Sequence, residues 1–373
     1  MEFRRKVSVL GALIGMLTVA LIAGVAFSAQ YRGIAEANQP LLPSVRPDLV
    51  NAIEIEDRSS ADAVTVVRLS RPAGGNWEVM TGDESYPADS SKVRTFLSDL
   101  ANLQSTRTVT TNPALYKEFQ LDDAQASTVT LTAAHGSKVS VYYGKDALEG
   151  GYVRIGNDPT VYLGNKSLSF YVNRVAHSWY YLRLLPASIS NINIQSAQVD
   201  FLPGATAEEL SLVKEPDRVD DRLPAAVRTS GYRLVRRATD GNPNAWFYER
   251  DLTISLDQAQ VESTVREMIM LEGVNFAAAT VSESEAGVKN PGIRLTITTG
   301  EGREYSLAIG HSATKDTFYV LPGGAGVETD KAGRPYIYVV SRYYLERALT
   351  PISSLESKRA TAGGAPSSNG SSN

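Results

Sequence analysis

Few side chains in this sequence have the types and spacing that catalysis or metal binding requires. The three histidines, His135, His177 and His311, are far apart, and none has a second ligand at the spacing of a helical zinc motif. Cysteine is absent, which excludes disulfides, thiolate ligands and cysteine nucleophiles. No Gly-x-Ser-x-Gly nucleophile elbow occurs, although a Ser-His-Asp arrangement could still assemble on folding. We therefore expect no cofactor, no metal and no enzymatic activity.

Three short motifs match known functional patterns without the elements that accompany them. The run from Ser312 to Lys315 has the Ser-x-x-Lys pattern of penicillin-binding enzymes, but the Ser-Asp-Asn and Lys-Thr-Gly elements are missing. Gly300 and Gly302 lack the third glycine of a dinucleotide fingerprint and fall between two predicted strands. The acidic residues of the segment 214–222 are interleaved with arginines, which favours local ion pairs over a calcium site.

The N-terminus predicts a membrane anchor. The basic residues 4–6 precede an uncharged stretch, residues 7–29, whose 23 residues suffice for a helix to cross the roughly 30 Å hydrocarbon layer. Secretory signals usually have an apolar region of about 7–15 residues, so an uncleaved anchor is favoured over cleavage after Ala26 or Ala29. The basic cluster should stay in the cytoplasm. This predicts a single-pass protein of the inner (cytoplasmic) membrane with the bulk of the chain periplasmic or extracellular.

The predicted span also has a pattern that permits close helix packing. Its small residues form two pairs at intervals of four, Gly11 with Gly15 and Ala20 with Gly24. These four residues are candidates for contact with a partner helix.

After a proline-containing linker, residues 30–48, the sequence repeats itself. The first copy covers residues 49–188 and the second 189–352, before a tail, residues 353–373, that is predicted to be disordered. The matching features are the strands Ala52–Ile55 and Asn191–Ile194, the strands Val64–Arg68 and Tyr232–Arg236, Trp77 and Trp246, Asp89 and Asp257, and the strand ends Val141–Gly144 and Leu307–Gly310. A repeat of this size predicts two related domains in tandem.

Within each copy, apolar residues recur with the period of a helix in one segment and with that of strands elsewhere. Val93, Phe96, Leu97 and Leu100 form one apolar stripe behind a capping aspartate, Asp89. The other apolar runs alternate and are separated by turn residues, as in antiparallel hairpins. We predict an α+β fold, in which an N-terminal transmembrane helix precedes two tandem repeats, each an antiparallel sheet with an amphipathic helix.

Two segments without a counterpart in the first copy are candidate partner surfaces. One is an insertion, residues 197–230, which contains Asp217, Arg218, Asp220, Asp221 and Arg222. The other is the long tip of the last hairpin, which leads to Tyr336 and Tyr338. Tyrosine is abundant, with 18 residues against 9 phenylalanines. Because tyrosine favours both strands and binding surfaces, both interpretations remain open.

In these features the chain resembles the bacterial family named after domain of unknown function 4340. The resemblance rests on the strand, tryptophan and capped helix in that order, on the hairpin glycines, and on a Gly-Leu-x-x-Pro-like element. That element occupies residues 287–291 in the second copy and 120–124 in the first. The resemblance spans about Ala52 to Leu349. It implies an anchored extracytoplasmic protein associated with gliding-type ABC transport systems, and it implies no catalytic residue.

Three functional hypotheses follow. The leading one is a non-enzymatic accessory protein of an ABC-type transport complex, whose partners are the bilayer through residues 7–29 and an ABC permease or other envelope proteins. The alternative is a module that binds cell-envelope glycan or polymer through a tyrosine-rich sheet, and the third is an envelope hydrolase. The formal net charge of −4 argues against nucleic acid as a partner.

Overall fold

The computed structural model describes residues 38–59, 63–213, 231–242 and 244–357, and the chain divides into two compact units between Tyr181 and Leu182. Each unit is built on one antiparallel sheet with few helices, so the predicted mixed α+β class with two antiparallel sheets is confirmed. In these ranges no helix combines the length and the apolar character that crossing a bilayer requires. The predicted span, residues 7–29, with Gly11, Gly15, Ala20 and Gly24, lies outside the described residues.

The described part of unit 1 forms a ten-stranded sheet. Its strands are β1 (Gln39–Pro40), β2 (Val50–Asp57), β3 (Thr65–Ser70), β4 (Glu78–Thr81), β5 (Glu84–Pro87), β6 (Gln104–Thr110), β7 (Ser127–Ala133), β8 (Lys138–Ala147), β9 (Gly150–Ile155) and β10 (Val161–Gly164). Its α-helices are α1 (Ser90–Ala101) and α2 (Ser169–Val172), and 3-10 helices cover Pro113–Phe119 and Ala176–Trp179.

The described part of unit 2 forms an eight-stranded sheet. Its strands are β11 (Ile194–Phe201), β12 (Tyr232–Arg237), β13 (Ala245–Tyr248), β14 (Asn275–Phe276), β15 (Ile293–Thr299), β16 (Glu304–Thr314), β17 (Thr317–Gly323) and β18 (Tyr338–Ser341). Its α-helices are α3 (Ala207–Leu210), α4 (Gln258–Ile269), α5 (Arg342–Ala348) and α6 (Ile352–Leu355), and a 3-10 helix covers Asn191–Asn193.

The two sheets share one strand order. Unit 1 reads β1-β6-β10-β9-β8-β7-β2-β3-β4-β5, and unit 2 reads β14-β18-β17-β16-β15-β11-β12-β13 in the same direction. Each strand of unit 2 therefore has a counterpart in unit 1, which adds β1 and β5 at its two edges. The long helices, α1 and α4, occupy the same place in the chain order. The two units thus repeat one topology.

Strand pairing makes the correspondence residue-specific and corrects two of the expected matches. The guanidinium carbon of Arg71 lies 5.3 Å from the Trp77 ring, as that of Arg236 lies 4.8 Å from Trp246, so Arg71 rather than Arg68 corresponds to Arg236. The counterpart of β2 is β11, because the expected strand 191–194 is a 3-10 helix up to its last residue. Residues 197–201, expected to begin the insertion, belong to β11. A period-two pattern fits a strand at several offsets, so the pattern alone could not select the match.

The hairpin glycines lie at equivalent irregularities of the two sheets. The pairing shifts register just after Tyr143 in unit 1 and just after Ile309 in unit 2. A side-chain Cβ on Gly144 would lie 2.0 Å from the carbonyl oxygen of Phe119, and one on Gly310 would lie 2.2 Å from that of Ala286. Only glycine permits so close a backbone approach.

The loops that press on these glycines are the Gly-Leu-x-x-Pro-like elements. Each passes through a left-handed residue, Gln120 with φ of 57° in unit 1 and Gly287 with φ of 72° in unit 2. The next residue, Leu121 or Val288, is then buried. In each unit this element therefore buries one apolar side chain, and its backbone packs against the glycine of the central strand.

Both long helices begin at the predicted aspartates. The Asp89 carboxylate accepts hydrogen bonds from the N–H groups of Ser91 and Lys92 at 2.9 and 3.0 Å, and Asp257 caps α4 in the same way. The stripe predicted for α1, Val93, Phe96, Leu97 and Leu100, is buried. Burying each such side chain contributes about 1.5–3 kcal/mol relative to exposing it.

Part of the expected linker belongs to unit 1. The N–H of Leu41 donates to the carbonyl of Leu103 at 2.9 Å, and Leu184 makes the equivalent bond to Leu271 at 3.1 Å in unit 2. The following residues, Leu42 and Leu185, are buried. A Leu-Leu-Pro segment that the sequence comparison overlooked therefore opens both units.

Candidate binding surfaces

The residues expected to form a partner surface are only partly accessible. Tyr338 in β18 is fully buried, with its ring 4.8 Å from that of Phe276, so it belongs to the core and its assignment to a surface is wrong. Tyr336 is half-buried against the same ring at 5.0 Å. Inward and outward positions alternate along a strand, and the direction of Tyr338 is set by the sheet. The charged residues Asp217, Arg218, Asp220, Asp221 and Arg222 lie outside the described residues.

A better candidate lies on α5 in unit 2, in residues 343–347, which we call aromatic element 2. Tyr343 is 58% exposed, and the side chain of Arg347 lies along it with the guanidinium carbon 5.6 Å from the ring centre. Tyr344 meets Tyr343 edge to face, with ring centres 5.4 Å apart. Tyr344 also borders a groove of about 320 Å³ at the end of α4, beside the exposed side chain of Met270.

Unit 1 has the same arrangement on α2, in residues 170–174, which we call aromatic element 1. Phe170 is 60% exposed, and the guanidinium carbon of Arg174 lies 4.3 Å from its ring centre. Tyr171 meets Phe170 edge to face at 5.3 Å and packs on Phe96 of the core at 4.6 Å. The two elements read Phe-Tyr-Val-Asn-Arg and Tyr-Tyr-Leu-Glu-Arg. In element 1 Tyr171 is anchored and Phe170 is presented to solvent, whereas in element 2 both rings are exposed, Tyr343 by 58% and Tyr344 by 45%.

A carboxylate on the long helix fastens each element. Asp99 of α1 accepts hydrogen bonds from the Tyr171 hydroxyl at 2.6 Å and from Lys166 at 2.5 Å. Burial alone would raise the pKa of Asp99, but these two hydrogen bonds outweigh it and hold the pKa below its ordinary value. Burial, and then the bond to Asp99, raises the pKa of Tyr171 to about 12, so the phenol remains a donor. In unit 2 the corresponding carboxylate, Glu267 of α4, pairs with Arg347.

The aromatic elements are suited to protein recognition. A rigid ring with an apolar face and an adjacent guanidinium is the combination enriched at the energetic centres of protein interfaces. An arginine lies along the exposed ring of Phe170 and of Tyr343, which reduces the side-chain freedom that binding would remove. The sequence analysis did not identify these elements, because an apolar pattern does not show which apolar side chains remain exposed. Comparing the residues after the last strand of each copy would have found them.

The two units also have clefts in equivalent places. Each lies between the segment that follows Leu-Leu-Pro and the tip of the central hairpin, β7–β8 in unit 1 and β15–β16 in unit 2. At this position the N–H of Ala134 donates to the carbonyl of Leu49, and the N–H of Gly300 donates to that of Asn193. The cleft volumes are about 320 Å³ in unit 1 and about 300 Å³ in unit 2.

The linings of the two clefts differ in chemistry. In unit 1 the apolar residues Val45, Leu49 and Val139 accompany the exposed basic groups Arg46 and Lys138. In unit 2 the corresponding hairpin carries Glu301 and Arg303, which form an ion pair at 3.1 Å. The polar side chains that line it include Asn193, Gln195, Asn244, Thr299 and Tyr305, beside the apolar Ile189, Ile192 and Ile194.

An ion pair between a buried arginine and a partly exposed glutamate supports the unit 2 cleft. Arg236, only 9% exposed, donates to Glu262 of α4 at 2.5 Å and to the carbonyl of Ile192 at 3.1 Å. Glu262 also accepts a hydrogen bond from the indole of Trp246 at 2.8 Å. The charge of this arginine is therefore neutralised by a partner of its own unit, and its role is to join the sheet to the helix.

The histidines have separate surroundings. His135 is exposed at the tip of the β7–β8 hairpin, and His177 is exposed in a 3-10 helix. His311 places Nδ1 3.2 Å from the carbonyl oxygen of Glu285, beside the loop that packs on Gly310. In the part of the chain that the structure describes, no three acidic, histidine or cysteine side chains are grouped in a way that could hold a metal ion.

Comparison with known proteins adds one relationship. The profile of a family described as a domain of unknown function, DUF4340, matches residues 77–232, a narrower range than the resemblance had suggested. The match begins at Trp77, runs through α1 and the central hairpins of unit 1, and ends at Tyr232 in unit 2. No curated protein and no solved structure matches the chain. The match over residues 77–232 supports the resemblance of this chain to the DUF4340 family.

Proposed function

We propose that this chain is a non-enzymatic accessory protein, anchored in the inner membrane, that works outside the cytoplasm beside an ABC-type transporter and binds protein partners through aromatic elements 1 and 2. The repeated, solvent-exposed aromatic elements are the observation that carries the binding role. The transporter as partner rests on the family resemblance. The anchor rests on the basic residues 4–6 and the uncharged stretch 7–29.

The repetition of the aromatic elements favours a binding role over chance exposure. The buried residues that the two units share are explained by their common fold. Phe170 and Tyr343 are both more than half exposed, so packing in the described part of the chain does not account for them. An exposed aromatic ring with an adjacent arginine contributes binding free energy when another protein covers it.

Crosslinking in intact cells tests this proposal. The full chain is crosslinked, extracted in detergent, purified through a C-terminal tag and analysed by mass spectrometry. We expect ABC permease and ATPase subunits in near-stoichiometric amounts. Each of Phe170→Ala and Tyr343→Ala removes an exposed ring, and the loss of an interface centre costs about 2 kcal/mol or more, or about 30-fold in affinity. The double variant should therefore lose the subunits.

A matched control separates a specific surface from general stickiness. Leu148 and Leu252 are 102% and 49% exposed, one in each unit, and lie outside the aromatic elements. Leu148→Ala with Leu252→Ala should retain the partners. Equal loss in both double variants would contradict a role for the elements. Recovery of wall fragments without transporter subunits would instead support glycan binding and overturn the transporter assignment.

The anchor can be tested separately as a partner-binding helix. Gly11, Gly15, Ala20 and Gly24 would let the span approach a permease helix closely. Replacing residues 7–29 with an unrelated membrane helix should reduce permease recovery while the protein remains in the membrane. Unchanged recovery would limit the span to anchoring.

A further inference from the structure

The unit 1 cleft combines a small apolar floor with basic groups at its rim. Val45, Val50 and Val139 are among its apolar lining residues, and Leu49 beside them is 39% exposed. Arg46 and Lys138 stand exposed at the rim, and within the described ranges neither takes part in an ion pair. No acidic side chain of the described residues lines the cleft. It is therefore suited to an anionic group attached to an apolar body.

The position of this cleft in the chain indicates where such a group would come from. The segment 44–50 that forms one wall follows closely on the predicted anchor. Only residues 30–37 separate the end of the predicted span from the first described residue, Asn38, and eight residues reach at most about 29 Å. A short tether of this kind produces an effective concentration in the millimolar range, so a weak site next to a bilayer would be occupied.

The equivalent cleft of unit 2 provides an internal comparison. There Glu301 neutralises Arg303, and amide side chains such as Asn193, Gln195 and Asn244 accompany three isoleucines in the lining. Among the described residues, both arginines that line the unit 2 cleft are paired with a carboxylate, whereas Arg46 and Lys138 of the unit 1 cleft are not. The two clefts thus differ in charge, and the one with unpaired basic groups lies in the unit that is nearer in sequence to the predicted anchor.

We propose that the unit 1 cleft binds the headgroup of an anionic phospholipid, with Arg46 and Lys138 contacting the phosphate and Leu49 the start of the acyl region. This rests on the proposed membrane anchor. Lipid binding would fix unit 1 at the bilayer surface. Each basic residue at an anionic membrane surface is worth about 1 kcal/mol, or about fivefold in affinity.

A lipid titration of the full chain in detergent tests the site. The probe is a short-chain anionic phosphatidylglycerol, with the phosphatidylcholine of equal chain length as comparison. The readout is hydrogen exchange in peptides that cover residues 44–50 and 133–139. We expect saturable protection by the anionic lipid only, and a dissociation constant about 25-fold higher for the double variant Arg46→Gln with Lys138→Gln. Arg303→Gln, at the hairpin tip of unit 2, should bind as the unaltered chain does.

Three results would overturn the proposal. Equal protection by the two lipids would show that charge plays no part. Unchanged affinity in the double variant would place the lipid elsewhere. Protection by inorganic phosphate at the same concentrations would identify a free-anion site instead. Failure of the anchor is a separate result, because an unanchored chain would leave cell membranes in a high-pH wash, whatever the lipid titration shows.

Discussion

Replacing Gly310 by alanine should destabilise unit 2 at the point where its Gly-Leu-x-x-Pro-like element packs against β16. The added Cβ would lie 2.2 Å from the carbonyl oxygen of Ala286, and 2.7 and 2.9 Å from backbone atoms of Gly287 and Val288. All three neighbours are main-chain atoms, so no side-chain rotation relieves the overlap. The loop would have to retreat by roughly 1 Å to reach ordinary contact distance, which opens a gap around the buried Val288.

The magnitude follows from two opposing effects. Overfilling a packed site costs about 1–3 kcal/mol. Alanine restricts the unfolded chain more than glycine does, and this returns about 0.4–1 kcal/mol. The partial loss of contacts around Val288 adds to the cost. We expect a net destabilisation of unit 2 by about 2 kcal/mol, which corresponds to about 30-fold faster exchange of its most protected amides.

Hydrogen exchange is the suitable assay because a chain of two units need not unfold in one step. Peptides that cover residues 293–323 report on unit 2, and those that cover 127–155 report on unit 1. Gly300→Ala is the matched control, since its Cβ would have a single neighbour at 3.9 Å, the carbonyl oxygen of Asn193. That variant should exchange as the unaltered chain does, or slightly more slowly.

The result that would refute this reasoning is a Gly310→Ala variant as protected as Gly300→Ala. The loop and the strand would then not be in the contact described. An equal loss of protection in peptides from unit 1 would also count against it, because the predicted effect is confined to unit 2.

Three further predictions concern stability. Gln120 holds a left-handed conformation with φ of 57°, so Gln120→Gly should raise the thermal midpoint of unit 1 through a gain of about 0.5–1 kcal/mol, and a lower midpoint would contradict this. The pKa of Asp99 is lowered on folding, so its stabilisation is present above the unfolded pKa of about 3.9 and is lost as pH falls through the folded value. Melting curves of Asp99→Asn and the unaltered chain should therefore differ at neutral pH and converge in acid. Glu262→Ala leaves the buried guanidinium of Arg236 unpaired and should cost about 2–3 kcal/mol by urea unfolding, whereas removal of the exposed Glu301 should cost less than about 1 kcal/mol.

Several features of the fold could be predicted from sequence because their information is local. The capping aspartates Asp89 and Asp257 and the helices behind them depend on residues within a few positions, as do the central hairpins. The short strands β4, β13 and β14 were missed, because two to four residues carry too little of a period-two pattern. The offset between Arg68 and Arg71 was missed for a different reason, because a period-two pattern fits a strand at several offsets.

The candidate surfaces could not be predicted in this way. Tyr338 and Tyr343 are both tyrosines near the end of the same copy, yet the first is buried and the second is 58% exposed. Their difference depends on which strands flank β18 and on where α4 ends. The two clefts are built from segments 85 and 107 residues apart in the chain, Leu49 with Ala134 and Asn193 with Gly300, and no local pattern relates such segments.

Local sequence patterns were enough to predict two copies of one α+β plan, the residues at which their long helices begin, and the glycines and tryptophans that recur. Those properties arise from side-chain periodicity, capping and turn chemistry, which act over a few residues. The strand order, the exposure of Phe170 and Tyr343, and the different charge of the two clefts became known from the folded chain. These depend on pairing between distant strands, and an apolar pattern specifies which face of a strand is buried without specifying its neighbour.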